Sequence, residues 1–363
     1  MQLERQTRIL ELDGWRAVSI LMVLGSHAAI FRFQQWFVPH PALTRFWVHA
    51  GPLGVKIFFV ISGFVICRLL LLEERRHGAI SLRGFYLRRI FRILPPLYLL
   101  LGVLAALQSA HWIEGNWRSL AVSALFLSDF NWIKLYWFTD HTWSLAVEEH
   151  FYLLFPPFFL LSRARSSWRT PILISLFSVL AIWNLWLVIA LGADPLHRAL
   201  VSHDTRTGFS CICTGVLMAI WEKQTRQLAA RVSLWIVLLA GAVLLVHPLR
   251  RDTIAEALFE SLLMPVAIGL ILIWSLERGQ ILRTFLCCRP VQAVGLTSYG
   301  IYLWQQLFLG RPSEYRGAGI AISNLLPLSL LIVPLSYMLL EKSAIRIGKS
   351  LSNRIRVDET VVS

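Results

Sequence analysis

The sequence predicts an all-α, polytopic integral membrane protein of about ten transmembrane helices, with both termini cytoplasmic. Three observations predict it. Apolar residues make up 56% of the chain and charged residues only 15%, against about a quarter charged in a typical soluble domain. The mean hydropathy is +0.61. Apolar runs of roughly membrane-crossing length recur from one end of the chain to the other. So little charge cannot cover a soluble surface, and so much apolar side chain excludes a disordered chain. A net charge of +14 would suggest nucleic acid in a soluble protein. Here the basic residues lie between the apolar runs, and no nucleic-acid module accompanies them, so no nucleic-acid partner is expected.

The runs follow in order. Residues 14–31 form the first, interrupted by Arg16 and His27. It lacks a small-x-small cleavage site and is expected to stay as a retained span. Next come 55–72, with Lys56 near its start, and 90–107, entered through Arg88, Arg89 and Arg92. The fourth, 145–161, carries Glu148 and Glu149, and 171–191 is apolar throughout apart from Ser175, Ser178 and Asn184. The run 207–221 follows Arg206, and the remaining four are 232–246, 257–274, 294–309 and 325–340. An eleventh candidate, 120–138, is broken by Ser128, Asp129, Asn131 and Lys134.

Basic residues concentrate on the cytoplasmic side of membrane proteins, and this decides the eleventh candidate. If 120–138 does not cross and the N-terminus is cytoplasmic, the inner segments hold 22 Lys and Arg and the outer ones 10. If it crosses, the division becomes 15 against 17 and the asymmetry vanishes. Residues 108–142 are therefore expected to form a long outer segment. The chain is expected to be one membrane domain over 1–363, with spans from about 14 to 340, a basic cytoplasmic tail at 341–363 and no extra soluble domain. The five cysteines are spaced neither as a disulfide framework nor as zinc ligands, and no metal is expected.

Ionisable groups inside a span face a cavity or a partner. Arg16 and His27 are 11 residues apart in the first run. That is about 20° past three full turns, so they share a helix face about 16 Å apart along the axis. A long ligand could lie between them. Alternatively, Arg16 snorkels to headgroups and His27 is satisfied on a neighbouring helix.

LDGWRAVSILMVLGSH resembles the start of the membrane acyltransferase-3 family, the O-acetylases of cell-surface polysaccharides and glycosides. GVKIFFVISGFVI, FYLRRIFRILPPLY, HTWSLAVEEHFYLLFP, DTRTGFSCICTGVLMA, TSYGIYLWQQ and LSYMLLEK follow in the family's order, from about residue 10 to 345. Two departures stand out. Many relatives have a histidine where this chain has Gln305, so Gln305 is given no proton-transfer role. Some carry an outer hydrolase-like domain after the last span, so the membrane unit here is expected to act alone or with a partner.

The resemblance implies a membrane O-acyltransferase of the bacterial cytoplasmic (inner) membrane. It would move an acetyl group from cytoplasmic acyl-CoA to a sugar hydroxyl on a surface polysaccharide, lipid-linked glycan or glycoside. Acyl-CoA would be a co-substrate, with no permanently bound cofactor; the partners are the glycan acceptor and membrane lipid. His27 would be the general base, since a neutral imidazole can take the hydroxyl proton and later protonate the leaving thiolate. Glu148, the first Glu of the motif, comes before Glu149 as the carboxylate that orients it. Arg16, Arg88, Arg89 and Arg92 would form an inner basic layer for the CoA phosphates, although topology alone also explains the loop arginines. Lys56, Arg206, Trp143 and Gln305 would join His27 and the glutamates in an outer, substrate-binding layer. A transporter or flippase of a lipid-linked sugar or small solute would use the same buried charges, but shows internal repeats that are not apparent here.

Reporter fusions placed after Arg165 and at the C-terminus should both read as cytoplasmic. A periplasmic signal at either site would invalidate the non-crossing assignment of 108–142.

Overall fold

The computed structural model describes residues 8–130, 136–191, 205–246, 258–319 and 333–362. These are helical between short connections, with no named strand and one isolated antiparallel bridge, Ile113 to Tyr315. In chain order the principal helices are α1 (Leu10–His27), α2 (Pro41–His77), α3 (Leu82–Ser109), α4 (Trp117–Ala124), α5 (Thr142–Leu161), α6 (Arg169–Leu191), α7 (Thr205–Ile220) and α8 (Glu222–Arg231). They continue with α9 (Leu234–Val246), α10 (Met264–Glu277), α11 (Gln280–Leu286), α12 (Arg289–Leu309) and α13 (Lys342–Val362).

Nine of the ten apolar runs fall largely on these helices. Half of the tenth, 325–340, lies outside the described residues. Four described helices are long and apolar enough to cross a membrane: Leu10–Arg32, Pro41–His77, Leu82–Ser109 and Phe259–Glu277. A fifth is possible if α8 and α9, bent by 104°, act as one broken span. Between Ser109 and Thr142 no helix among the described residues exceeds the eight residues of α4.

The chain divides into two compact units, each built from two stretches. Unit one comprises Met1–Arg76 and Leu161–Leu296. Its helices approach through small residues. A Cβ on Gly54 would press on the Ser19 carbonyl oxygen of α1, and one on Gly51 on the Ser26 side chain. Deeper in α2, a Cβ on Gly63 would fall onto the Ile212 carbonyl of α7, and one on Gly215 onto the Val60 carbonyl of α2. This reciprocal glycine crossing brings two backbones together as in small-residue membrane packing. The C-terminal end of α2 is tied down by Arg169, whose Nη1 and Nη2 donate to the two carboxylate oxygens of Glu74 at 2.9 and 2.8 Å.

Unit two comprises His77–Leu160 and Thr297–Ser363. Ser81 caps α3 by accepting from the Gly84 N–H at 3.1 Å. The segment expected as a basic tail is instead the helix α13, packed on α3. Ala344, Gly348 and Ser352, four residues apart, are all buried. Gly348 leaves room only for Phe91 and Leu87, and Gly84 faces Ser352. The charges of 341–363 had hidden this stripe of small residues. In the loop after α12, burial raises the Glu314 carboxyl above its ordinary range; the Glu114 charge adds to this and Arg311 opposes it.

Gly215→Val should lower the thermal unfolding temperature of the detergent-solubilised protein by several degrees, since overpacking costs about 1–3 kcal/mol. Gly102→Ala, where nothing lies within 4 Å of the added carbon, should be neutral or stabilising by up to about 1 kcal/mol. Equal effects at both sites would refute the close crossing.

Candidate functional site

Unit one contains Arg16, His27 and Lys56. The uninterrupted helix α1 keeps Arg16 and His27 eleven residues apart on one face, as their spacing predicts. His27 ends the α-helical part of the segment, which widens into the π-helical turn Ala28–Arg32. Such single π turns lie frequently at functional sites because they re-aim the side chains around them. The His27 ring is half-buried and meets Phe31 edge-on, with centroids 5.9 Å apart. Gly25 gives its space to the Trp47 ring and Ser26 packs against Gly51, so α2 covers the turn that leads into His27. Arg16 pairs with Asp13 Oδ1 at 3.4 Å, and Arg8 takes Asp13 Oδ2 at 2.5 Å.

Lys56 is buried, and its Nζ lies 3.4 Å from Glu260 Oε1, also buried. Glu260 stands in a second π-helical turn, Phe259–Leu263. It is 204 residues away in sequence, and sequence reasoning did not single it out. The only signal was a carboxylate within an apolar run. A cavity of about 1180 Å³ lies against α1 and α2, lined by Trp15, Met22, Leu53, Ile57, Ile268 and Trp274 among others. Its walls suit hydrocarbon rather than phosphate. Arg206 lies in α7, but its side chain is outside the described residues.

Unit two contains Glu148, Glu149, Arg88, Arg89, Arg92, Trp143 and Gln305. The expectation of separate layers, glutamates outer and arginines inner, fails here. Glu148 Oε2 accepts from the Tyr152 hydroxyl at 3.0 Å, and the Arg89 guanidinium lies 4.8 Å from the Tyr152 ring centroid. Arg89 is also within electrostatic reach of Glu149. Glu148, Glu149, Glu341 and Arg92 all act on the buried hydroxyl of Tyr299, which donates to the Ile93 carbonyl at 2.9 Å. The reason is length: α3 starts at Leu82, so Arg92 stands ten residues, about 15 Å, along the helix rather than at its foot. Arg88 is directed elsewhere, with Nη1 donating to Ser352 Oγ at 2.5 Å.

A second polar cluster surrounds the start of α5. His141 is buried, and both its backbone N–H and its Nδ1 meet Gln306 Oε1. Trp137 Nε1 donates to the Gln306 carbonyl at 2.8 Å, and the Tyr302 hydroxyl bonds Ser144 Oγ and the His141 carbonyl. Sequence reasoning chose Gln305 and did not single out His141 or Gln306. Both glutamines are buried, but it is Gln306 that holds the histidine. Trp143 is half-buried in the first turn of α5. His150, on the turn after Glu148, is engaged by Asp129 at 3.3 Å.

A family profile described as an acyltransferase domain matches residues 9–341. The peptidoglycan O-acetyltransferase OatA of Listeria monocytogenes is 28% identical over 322 residues, covering 81% of this chain and 48% of that protein. A Bacillus subtilis protein, provisionally named peptidoglycan O-acetyltransferase YrhL, is 27% identical over 376 residues, covering 95% of this chain and 56% of its own. The chain thus spans about half the length of these relatives. No solved structure matches it.

Lys56→Met or Glu260→Leu alone should strand a buried charge and cost about 3–5 kcal/mol, read as lost abundance or a lower melting temperature. The double variant Lys56→Met/Glu260→Leu should recover most of that loss. A double variant as unstable as the sum of the two would contradict the pairing.

Proposed function

The chain belongs to the acyltransferase-3 family, and from that premise we propose that it transfers an acetyl group from cytoplasmic acyl-CoA to a sugar hydroxyl of a cell-surface glycan. The names of the relatives point to peptidoglycan or a related glycan as acceptor. In this reading the protein lies in the bacterial inner membrane as a single ten-span domain with both ends cytoplasmic. The observation that supports it most is α1, one apolar helix with a cation and an imidazole on the same face.

His27 acts as the general base. It accepts the proton of the sugar hydroxyl as that oxygen attacks the thioester carbonyl. When the carbon–sulfur bond breaks, the imidazolium returns the proton to the thiolate, leaving an ester and free CoA. Arg16 contributes a guanidinium for a phosphate or carbonyl oxygen of the donor, a task for which its planar fork suits it better than an ammonium. Arg88, Arg89 and Arg92 stay as candidates for the donor phosphates in this reading, with Arg88 also held by Ser352. Glu148 and Glu149 are the candidate carboxylates of the reaction, Glu148 first on its motif. Lys56, Arg206, Trp143 and Gln305 are the candidates for the acceptor side, with Lys56 held by Glu260.

His27→Gln keeps a hydrogen bond but cannot exchange a proton near neutral pH. It should lose about 10²–10⁴-fold in acetyl transfer with acyl-CoA binding and abundance retained. A well-expressed His27→Gln protein with near-normal turnover would refute the base assignment.

A further inference from the structure

Unit one holds a second cavity, of about 510 Å³, between the charged end of α2 and the start of α8. Four cations line it: Arg68 and Arg75 from α2, Lys223 and Arg226 from α8. Glu222 and Gln224 complete its polar wall. Glu222 bridges two of the cations. Its Oε2 accepts from Arg68 Nε at 3.0 Å, and its Oε1 from Arg226 Nε and Nη2 at 3.1 and 2.9 Å. Arg226 Nη1 is in turn taken by Glu277. The two guanidiniums are therefore fixed and compensated. Arg75 and Lys223 are exposed and make no ion pair among the described residues. The acidic neighbour of Arg75, Glu74, is occupied by Arg169.

The result is a concave wall with a preset frame and two cations that stand outside any ion pair among the described residues. Basic residues that serve topology alone need only lie on the cytoplasmic side; they need not share a cavity. We propose that this cavity binds a phosphate-bearing anion, with Arg75 and Lys223 as its charge-assisted donors. Two sources carry that chemistry: the nucleotide end of coenzyme A and the headgroup of an acidic phospholipid. The first source rests on the acyl-CoA reading above; the second does not.

The test uses the full chain in detergent and in lipid nanodiscs, comparing wild type with Arg75→Gln/Lys223→Gln. Arg76→Gln/Arg231→Gln, exposed on the same two helices and outside the cavity, removes the same two charges and controls for net charge. The probes are coenzyme A, pantetheine and inorganic pyrophosphate in one arm, and retained phosphatidylglycerol against phosphatidylcholine in the other. Weakening of coenzyme A by about tenfold, with pantetheine and the control unchanged, assigns the nucleotide. Selective loss of phosphatidylglycerol with coenzyme A unchanged assigns the lipid. The swap Arg75→Lys/Lys223→Arg, which keeps both charges, should restore binding and separates charge from misfolding. If wild type binds no coenzyme A but its pyrophosphate or phosphatidylglycerol binding depends on the pair, the donor reading falls and the anion site stands. Affinity for coenzyme A, pyrophosphate and phosphatidylglycerol unchanged in the double variant would overturn the proposal.

Discussion

A charge taken into an apolar helix bundle must find a counter-charge or a hydrogen-bonding shell, because an isolated ion there costs several kcal/mol. That constraint shapes unit one. Lys56 and Glu260 are both buried and pair at 3.4 Å, which joins α2 to the π turn ahead of α10. Asp13 divides its oxygens between Arg8 and Arg16 at the start of α1. Glu222 does the same between Arg68 and Arg226. Asp13 is satisfied locally, within and just before α1, whereas Glu260 and Glu222 each reach a cation of α2 and so set which elements neighbour that helix. The glycines at 54, 63 and 215 let α2 close to backbone contact with α1 and α7, and Gly51 admits the Ser26 side chain.

Unit two meets the same constraint with a mixed network. Three carboxylates, Glu148, Glu149 and Glu341, share the surroundings of Tyr299 with Arg92. Hydroxyls and amides handle the neutral polar groups: Gln306 holds His141, and Tyr302 spans Ser144 and the His141 carbonyl. Low dielectric makes such networks rigid when satisfied.

The helices were legible because an apolar run and a helix answer to the same physical need, and nine runs out of ten fall on described helices. Arg16 and His27 were legible because a helix converts an eleven-residue spacing directly into a shared face. Partners were not. Nothing in one sequence links Lys56 to Glu260 across 204 residues, or distinguishes Gln306 from Gln305 as the one that holds His141. Depth was misjudged where the apolar run was taken as the whole helix: α3 begins at Leu82, and this carries Arg89 and Arg92 up to the glutamates of α5. Helix α13 was obscured because its charges are frequent while its packing face consists of Ala344, Gly348 and Ser352.

The account joins a helix that carries a base and a cation to a donor on the cytoplasmic side and a glycan on the other. Its most direct test is sidedness of transfer. Sealed vesicles bearing the full chain would receive acetyl-labelled acetyl-CoA on the cytoplasmic face only, with glycan acceptor enclosed on the opposite face. The account predicts labelled glycan, with one free CoA released per acetyl transferred. Acceptor movement across the membrane with neither label on the glycan nor CoA release would contradict it.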